Sequence, residues 1–572
     1  MGHLARLALA GALLCALAGV TACGGGDTER HDRGERLTML SSSDVDFLDP
    51  GRTYFAQGIQ VVAATQRTLY GFRPTDLEHA VPDLAEGAPA IGDGGRKVTV
   101  HLKKGVRFSP PVNREVRASD VAYAFERFFS AAVAGPYQQY FSDLVGVPKI
   151  LPETPEPIAG ISTPDDRTIV FRLRRPTAAA FAETLVLPVT APVPEEYARP
   201  FDEHSPSTYN THVVATGPYM VRNDASGRTI GYQAGHTIDL VRNPNWRRAT
   251  DLRPAPLDAI RIITNARDRT IASRQVLSGS GMVLDSTPPP TIIKRVFEHS
   301  PEQGAIVPAG GYRFTPLNTS IKPFDRVNVR RAVLAAYDRV ASRKARGGAT
   351  TGPLATHFLP PGIPGFHEAG AATGPGVDFL AAPTGDLELA TAYMRKAGFP
   401  SGRYTGREQF LLVAGSSDGE RGMGSVAAQT LRTLGFRVRL RIVPDDALFT
   451  NWCSVPAKKV LACAGIAWLK DYPDPEPMLK PVFGGAAFTN RAGNTNFSEL
   501  HDPAIDAAMA RARRLGGQAR IRAWGQIDDL IVRDAAAVPL QWEQAVLIRS
   551  KDVRGVPNVY FDSWDLSYTS LK

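Results

Sequence analysis

The stretch KVTVHLKKGVRFSPPVNREVRASDVAYAFERFF, residues 97–129, decides the fold class. Residues 97–102 alternate polar and apolar side chains, which is the two-residue period of a half-buried strand. From Ser119 onward, apolar residues recur at helical spacing behind a hydroxyl that suits the N-cap of a helix. A strand followed by an amphipathic helix predicts a mixed α/β fold.

The same alternation of strand and helix returns along the rest of the chain. Residues 167–173 alternate like a strand, Asp386 is placed to cap a helix, and Gly398 is placed to end that helix. In residues 436–442, apolar side chains alternate with arginines, which predicts a strand with one buried face and one cationic face in solvent. The body of the protein is therefore expected to be α/β throughout.

Length and composition exclude several classes of protein. With 572 residues, 43% of them hydrophobic and 22% charged, the chain has material for several folded domains and is neither disordered nor collagen-like. Lysine and arginine exceed aspartate and glutamate by 66 to 57, a surplus of +9 that is not gathered into basic blocks. No nucleic-acid partner is therefore expected.

The N-terminus predicts the compartment. A positively charged start precedes an apolar run over residues 7–20, which is the pattern of a signal peptide over residues 1–22. The tetrapeptide VTAC, residues 20–23, resembles a bacterial lipobox. This implies acylation of Cys23 and a tether, through a linker over residues 23–36, to the outer face of the cell membrane. The alternative is an ordinary secretory peptide with a chance cysteine.

Two cysteines remain in the body of the protein. Cys453 and Cys463 form an even pair in an oxidising compartment, which predicts a disulfide. The alternative is two buried thiols. A zinc site is disfavoured, because no cluster of histidines accompanies the two sulfurs.

A serine motif raises the hypothesis of an extracytoplasmic hydrolase. GSSDG, residues 415–419, matches G-x-S-x-G between an apolar strand and a helix, with Ser417 as the candidate nucleophile. Such a nucleophile needs a downstream histidine, and His501 is the only one that follows. The competing interpretation is a turn between strand and helix. No nucleotide or zinc motif occurs in the sequence, so neither a cofactor nor a metal is expected.

A series of short segments in a fixed order is the most distinctive feature of the chain. The segments include residues 47–50 (FLDP), 81–85 (VPDLA), 102–108 (LKKGVRF), 216–219 (TGPY), 242–246 (RNPNW), 323–325 (PFD), 337–339 (YDR), 397–399 (AGF) and 468–475 (WLKDYPDP). Each segment is weak alone, but the shared order over residues 37–545 is specific. This order resembles the extracytoplasmic solute-binding proteins of ABC importers, in the family that carries oligopeptides and dipeptides.

The resemblance implies a fold of the periplasmic-binding-protein-like type II, with two lobes, a hinge and an extra inserted domain. By this analogy residues 37–67, 213–309 and 541–572 form lobe I. Residues 68–212 form the inserted domain, and residues 310–540 form lobe II. A ligand would be held in the cleft between the lobes.

The resemblance also implies a ligand site. It places Asp471 where peptide-binding relatives use a carboxylate to pair with the α-ammonium of a peptide, and Trp468 where an aromatic residue lines the side-chain pocket. Tyr54 is a further candidate for the cleft. A desolvated cation needs a charge-assisted partner, which is the physical reason for a carboxylate there. The competing interpretation is that Asp471 caps a turn, or pairs with the adjacent Lys470 when no ligand is present, while Trp468 is core.

The chain is therefore expected to be a binding protein rather than an enzyme. It would be a monomeric, lipid-anchored subunit that captures dipeptides or oligopeptides and delivers them to the permease and ATPase subunits of an importer. The first alternative is a relative that binds a non-peptide solute, and the second is the serine hydrolase.

Overall fold

A nine-stranded mixed sheet joins segments from the beginning, the middle and the end of the chain. The computed structural model describes residues 35–572, which form one body. The predicted signal peptide and Cys23 lie outside the described residues. Within residues 35–572, no helix is both long and apolar enough to cross a membrane.

The helices of the described residues are mostly short. They are α1 (Ala56–Thr65), α2 (Ala118–Phe128), α3 (Ala178–Glu183), α4 (Glu195–Asp202), α5 (Arg269–Ser278), α6 (Pro290–His299), α7 (Val327–Ala336), α8 (Arg339–Arg346), α9 (Leu387–Lys396), α10 (Asp418–Thr433), α11 (Asp445–Ala447), α12 (Pro475–Phe483), α13 (Pro503–Ala512) and α14 (Gly517–Asp534).

The strands of the described residues range from two-residue pairs to two long central strands. They are β1 (Arg36–Leu40), β2 (Tyr70–Arg73), β3 (Asp76–Pro82), β4 (Ala90–Gly92), β5 (Lys97–His101), β6 (Ile161–Asp165), β7 (Thr168–Arg172), β8 (Tyr219–Val221), β9 (Tyr232–Gln233), β10 (Thr237–Arg242), β11 (Ala259–Ile263), β12 (Met282–Leu284), β13 (Gly304–Pro316), β14 (Gln409–Gly415), β15 (Arg437–Val443), β16 (Ala462–Cys463), β17 (Ile466–Leu469), β18 (Ala537–Arg549), β19 (Val553–Arg554), β20 (Pro557–Asn558), β21 (Ser563–Trp564) and β22 (Ser570–Leu571).

The nine-stranded sheet has the order β17-β13-β18-β12-β1-β11-β10-β8, with β9 paired to β10. β1 is parallel to its neighbours β11 and β12, whereas β13 is antiparallel to both β17 and β18. β17 is the edge strand and ends at Leu469. Lys470 and Asp471 therefore lie just beyond the sheet, where they are buried against neighbouring segments.

Among the described residues, the smaller sheets are one of four strands, one of three strands and three of two strands, β2-β3, β19-β22 and β20-β21. β4-β5-β7-β6 is antiparallel and packs with α2, and β15-β14-β16 is parallel and packs with α10. The hydrophobic cluster around the first of these sheets also contains Tyr472, which comes from a distant part of the sequence. The segment after β17 is therefore packed against the region of α2.

Several sequence predictions can be compared with these elements. β5 confirms the strand predicted over residues 97–102, and Asp386 caps α9 by accepting a hydrogen bond from the Leu389 amide at 2.9 Å. The predicted cap at Ser119 is wrong. α2 begins at Ala118, because the Asp120 carboxylate accepts the Arg117 amide at 2.7 Å and fixes the first turn.

The cationic face predicted for residues 436–442 is confirmed. The three arginines at alternate positions of β15 are exposed, while the residues between them are half-buried. A side chain at every second position of a strand points to the same face, so the alternation in the sequence translates directly into exposure.

Candidate functional site

Asp471 follows β17 and is buried, with 9% of its surface exposed. The Tyr140 hydroxyl donates a hydrogen bond to Oδ2 of this carboxylate. The Tyr560 hydroxyl donates to the main-chain carbonyl of Asp471 at 2.9 Å. Two tyrosines from distant parts of the chain thus meet at Asp471, one at its carboxylate and one at its main-chain carbonyl.

Within residues 35–572, the Asp471 carboxylate has no cationic partner. Among the ion pairs of residues 35–572, none involves this side chain. Burial raises the pKa of Asp471 from its ordinary value to about 7, and the hydrogen bond from Tyr140 opposes that rise only in part. A carboxylate in this environment is poised to gain from a cation that arrives from outside the protein.

Lys470 does not neutralise its neighbour. Its ammonium donates to the Ala309 carbonyl at 2.7 Å and lies 3.2 Å from an oxygen of Asp562. Adjacent side chains in an extended segment point in opposite directions, so Lys470 serves Asp562 while Asp471 faces the tyrosines. The pairing of Lys470 with Asp471, an expectation of the sequence for the empty protein, is absent from the described residues.

Tyrosine rings continue from Asp471 toward solvent. The rings of Tyr140 and Tyr137 lie 6.3 Å apart, and those of Tyr137 and Tyr54 lie 5.4 Å apart. Tyr54 is 39% exposed, so it stands at the outer end of the series. Burial of the Tyr54 hydroxyl, and after it the charge of nearby Asp471, raise the pKa of Tyr54. The role of Tyr54 in the ligand cleft stays a prediction.

The position of Tyr54 is fixed by Asp46. The carboxylate of Asp46 accepts hydrogen bonds from the Thr53 hydroxyl at 2.7 Å, the Tyr54 amide at 2.6 Å and the Phe55 amide at 3.0 Å. These bonds fold the loop before α1 back on itself. The loop thereby carries Tyr54 to the ring of Tyr137.

A second carboxylate, Asp285, lies at the carboxyl end of β12. It accepts hydrogen bonds from the hydroxyls of Ser563 at 2.5 Å and Ser41 at 3.2 Å, and from the Gln57 amide group at 3.5 Å. Burial raises its pKa. The carboxyl ends of parallel strands are a common place for ligands in open α/β sheets.

These contacts, together with two short stretches of chain, form a closed circuit that we call the tyrosine–carboxylate ring. Contacts lead from Gln57 to Asp285, from Tyr54 through Tyr137 and Tyr140 to Asp471, from Asp471 to Tyr560, and from Ser563 to Asp285. The chain itself joins Tyr54 to Gln57 and Tyr560 to Ser563. The members of the ring are Asp46, Tyr54, Gln57, Tyr137, Tyr140, Asp285, Asp471, Tyr560 and Ser563.

A groove adjoins the ring at Tyr560. It is lined by α1, by the β2–β3 hairpin and by residues 558–568. The Arg253 guanidinium in this groove lies 2.8 Å from Asp251 and 3.4 Å from Asp83. Asp565, which also lines the groove, accepts hydrogen bonds from the Asn558 side chain at 2.6 Å and from the Ser567 amide at 2.8 Å.

Trp468 lies away from the ring. It is 8% exposed and its indole donates to the Pro477 carbonyl at 2.8 Å, within the hydrophobic cluster that contains Phe497. This placement is that of a core residue in the present conformation. The role of Trp468 in a side-chain pocket stays a prediction.

Ser417 occupies the N-cap position of α10. Its amide donates to the Asp445 carboxylate at 3.2 Å, and no hydrogen bond joins it to a histidine within residues 35–572. This is the turn that the competing interpretation of the GSSDG motif describes. Elsewhere, Cys453 and Cys463 are joined by a disulfide.

Sequence reasoning missed most of the ring. Tyr137, Tyr140 and Tyr560 carry no motif, and they meet Asp471 only through long-range packing. A weak signal existed for Asp285, which is an acid directly after an apolar strand and before a proline-rich loop. Strand-end acids of this kind are worth examining as site candidates.

Comparison with known proteins identifies the family of the chain. Residues 79–490 match the model of the bacterial extracellular solute-binding proteins, family 5. The chain is 24% identical to a dipeptide-binding protein of Pseudomonas aeruginosa, over 83% of this chain and 84% of that protein. It is also 24% identical to heme-binding protein A of Haemophilus influenzae, over 84% and 82%.

A solved structure shows the same fold over nearly the whole chain. The protein is similar to clavulanic acid biosynthesis oligopeptide binding protein 2, with a TM-score of 0.80, 27% identity, and coverage of 95% of this chain and 96% of that one. The fold is thus the mixed α/β fold of periplasmic binding proteins that the sequence resemblance implied.

Proposed function

The chain belongs to the family 5 extracellular solute-binding proteins of ABC importers, and we propose that its ligand is a short peptide held by Asp471. The family consists of binding proteins, and this chain is a solute-binding protein rather than an enzyme. In our proposal the α-ammonium of the peptide pairs with the Asp471 carboxylate inside the tyrosine–carboxylate ring.

One observation carries this proposal. Asp471 is a buried carboxylate without a cation among the described residues, and one of its oxygens, Oδ1, accepts no hydrogen bond there. Burying an unpaired charge is costly, so proteins rarely retain one without a use. A peptide ammonium supplies the missing charge and a donor for Oδ1.

The relatives support a peptide first and another solute second. Dipeptide-binding and oligopeptide-binding proteins are among the similar proteins. Heme-binding protein A, which is similar over a comparable share of the chain, keeps a non-peptide solute as the second candidate. A solute without a cation gains nothing from Asp471, so this residue separates the two candidates.

We further propose that the protein is a monomer, anchored to the outer face of the cell membrane through acylated Cys23, and that it delivers its ligand to a permease and an ATPase. The proposed boundaries are lobe I over 37–67, 213–309 and 541–572, the inserted domain over 68–212 and lobe II over 310–540.

Substitution of Cys23 by Ala should release the protein from membranes, as read by fractionation of cells.

Native mass spectrometry of residues 24–572, purified without unfolding from cells grown in rich medium, tests the ligand directly. A spread of short peptides released from the wild type, together with an empty Asp471→Asn variant, is expected. A single non-peptide mass in both proteins would overturn the peptide proposal and the role of Asp471. Glu388→Gln, at an exposed position of α9, is a matched control that should retain the peptides.

A further inference from the structure

The tyrosine–carboxylate ring contains more negative charge than one ammonium requires. Asp285 and Asp471 both accept hydrogen bonds, but every donor is an uncharged hydroxyl or amide group. Among the ion pairs of residues 35–572, none includes these two side chains. Asp46 does not add to this excess, because its charge acts on the Arg52 guanidinium. Lys470 does not reduce the excess, because Asp562 balances it at 3.2 Å.

A buried hydroxyl in the same ring also lacks a partner. Tyr137 is 1% exposed, and its hydroxyl makes no hydrogen bond within the described residues. Burial raises the pKa of this hydroxyl, and the nearby groups of Asp471, Tyr54, Tyr560 and Asp46 raise it further. A sealed polar atom without a partner costs free energy, which a ligand group in contact with it would recover.

Asp285 lies across the ring from Asp471. On one side, Tyr560 touches Asp471 and Ser563 touches Asp285, three residues along the same segment. On the other side, Gln57 and the tyrosines form a longer connection. Asp285 is only half-buried, so a ligand group can reach it without moving the core.

We infer that the ligand carries two cationic groups, with its α-ammonium at Asp471 and a basic side chain at Asp285. This inference rests on the proposed function and names the class of peptide: short peptides that contain lysine or arginine. Neutral donors satisfy the oxygens of Asp285 but leave its charge in place, whereas an ammonium or guanidinium balances the charge as well.

The preference for a basic side chain can be measured with matched ligands. The probes are tripeptides of alanine with one lysine, and the same tripeptides with norleucine, which keeps the methylene chain and removes the ammonium. Isothermal titration calorimetry should show that the best lysine peptide binds the wild type at least about tenfold more tightly than its norleucine counterpart. This comparison needs no variant and does not depend on how a substitution folds.

Two variants then locate the preference. In Asp285→Asn, the advantage of lysine over norleucine should vanish while the norleucine peptide binds as before. In the control Glu388→Gln, the advantage should persist. Equal affinity of the two peptides for the wild type, or an advantage that survives in Asp285→Asn, would overturn the inference and leave the peptide function intact.

A diamine separates failure of the inference from failure of the proposed function. If no peptide binds, 1,5-diaminopentane is titrated into the wild type and into the variants Asp471→Asn and Asp285→Asn. Diamine binding that both variants weaken would support two cation sites and overturn the peptide function. Absence of binding by every probe would overturn both.

Discussion

Two aspartates three residues apart on one segment have opposite surroundings. Asp474 caps α12 by accepting the Glu476 amide at 2.8 Å, and it forms a two-pronged ion pair with Arg520. Asp471 lies among tyrosines and has no cation within the described residues. Both carboxylates are buried to a similar degree, at 4% and 9% exposure.

The surroundings of Asp474 are balanced by the fold itself. Arg520 also lies 3.3 Å from Glu476, which in turn lies 2.7 Å from Arg513. Arg513 continues to Asp143 at 3.2 Å. The difference teaches that charge used for architecture is neutralised internally, whereas the unbalanced charge at Asp471 is available for a ligand.

The largest expected effect breaks the architectural side of this comparison. Asp474→Asn leaves the Arg520 guanidinium with half of its ion pairs and should lower the free energy of unfolding by about 3–5 kcal/mol. Urea unfolding at neutral pH measures this. Asp471→Asn is the matched control and should not be destabilised. Equal losses in both variants would contradict the distinction between the two sites.

The next effect breaks the ligand side. Asp471→Asn or Asp471→Ala should weaken peptide binding by about 2–5 kcal/mol, which is about 30-fold or more, while the melting temperature does not fall below the wild-type value. Calorimetric titration with a peptide eluted from the wild type checks this. Normal affinity in either variant would sink the assignment of Asp471.

Proton linkage sharpens the comparison. Because burial raises the pKa of Asp471 to about 7 in the empty protein, the folded state holds a proton that the unfolded state releases between about pH 4 and 7. Ionisation of Asp471 therefore lowers the free energy of unfolding as pH rises through that window. Relative to the wild type, Asp471→Asn should become more stable between pH 5 and pH 8.

Ionisation of Asp471 lowers the stability of the empty protein but favours the binding of a peptide. A peptide ammonium needs the ionised carboxylate, so the affinity of the wild type for a peptide should rise from pH 5 to about 7.5. The affinity of Asp471→Asn should not depend on pH over this range. Titrations in buffers of different ionisation enthalpy should detect proton release on binding near pH 6.5. Affinity independent of pH in the wild type would argue against an ammonium at Asp471.

The smallest effect concerns two neighbouring tyrosines. Tyr137→Phe removes a buried hydroxyl without a partner and should leave the free energy of unfolding of the empty protein unchanged or raise it by about 1 kcal/mol. Tyr140→Phe removes the donor to Asp471 and should lower stability by about 1–2 kcal/mol, with a further rise in the pKa of Asp471. The reverse ranking, measured by urea unfolding, would contradict the described hydrogen bonds.

Sequence reasoning succeeded where a property is local. The alternation in residues 97–102 and 436–442 is a direct record of which side chains face solvent, and both strands are present. Asp386 marks the start of α9, because its carboxylate accepts a hydrogen bond from the first turn of that helix. The N-cap of α2 was misplaced by two residues, at Ser119 instead of Arg117, because the Asp120 carboxylate holds the first turn.

By itself the sequence determined the α/β class, the family, and Asp471 as the residue to test, because periodicity and ordered motifs are properties of a linear chain. The tertiary structure alone decided that Asp471 meets Tyr140 and Tyr560, that Lys470 serves Asp562, and that Trp468 is in the core. The physical reason is that pairing and burial depend on segments hundreds of residues apart. Whether a carboxylate is balanced or left for a ligand is therefore fixed only when those segments pack together.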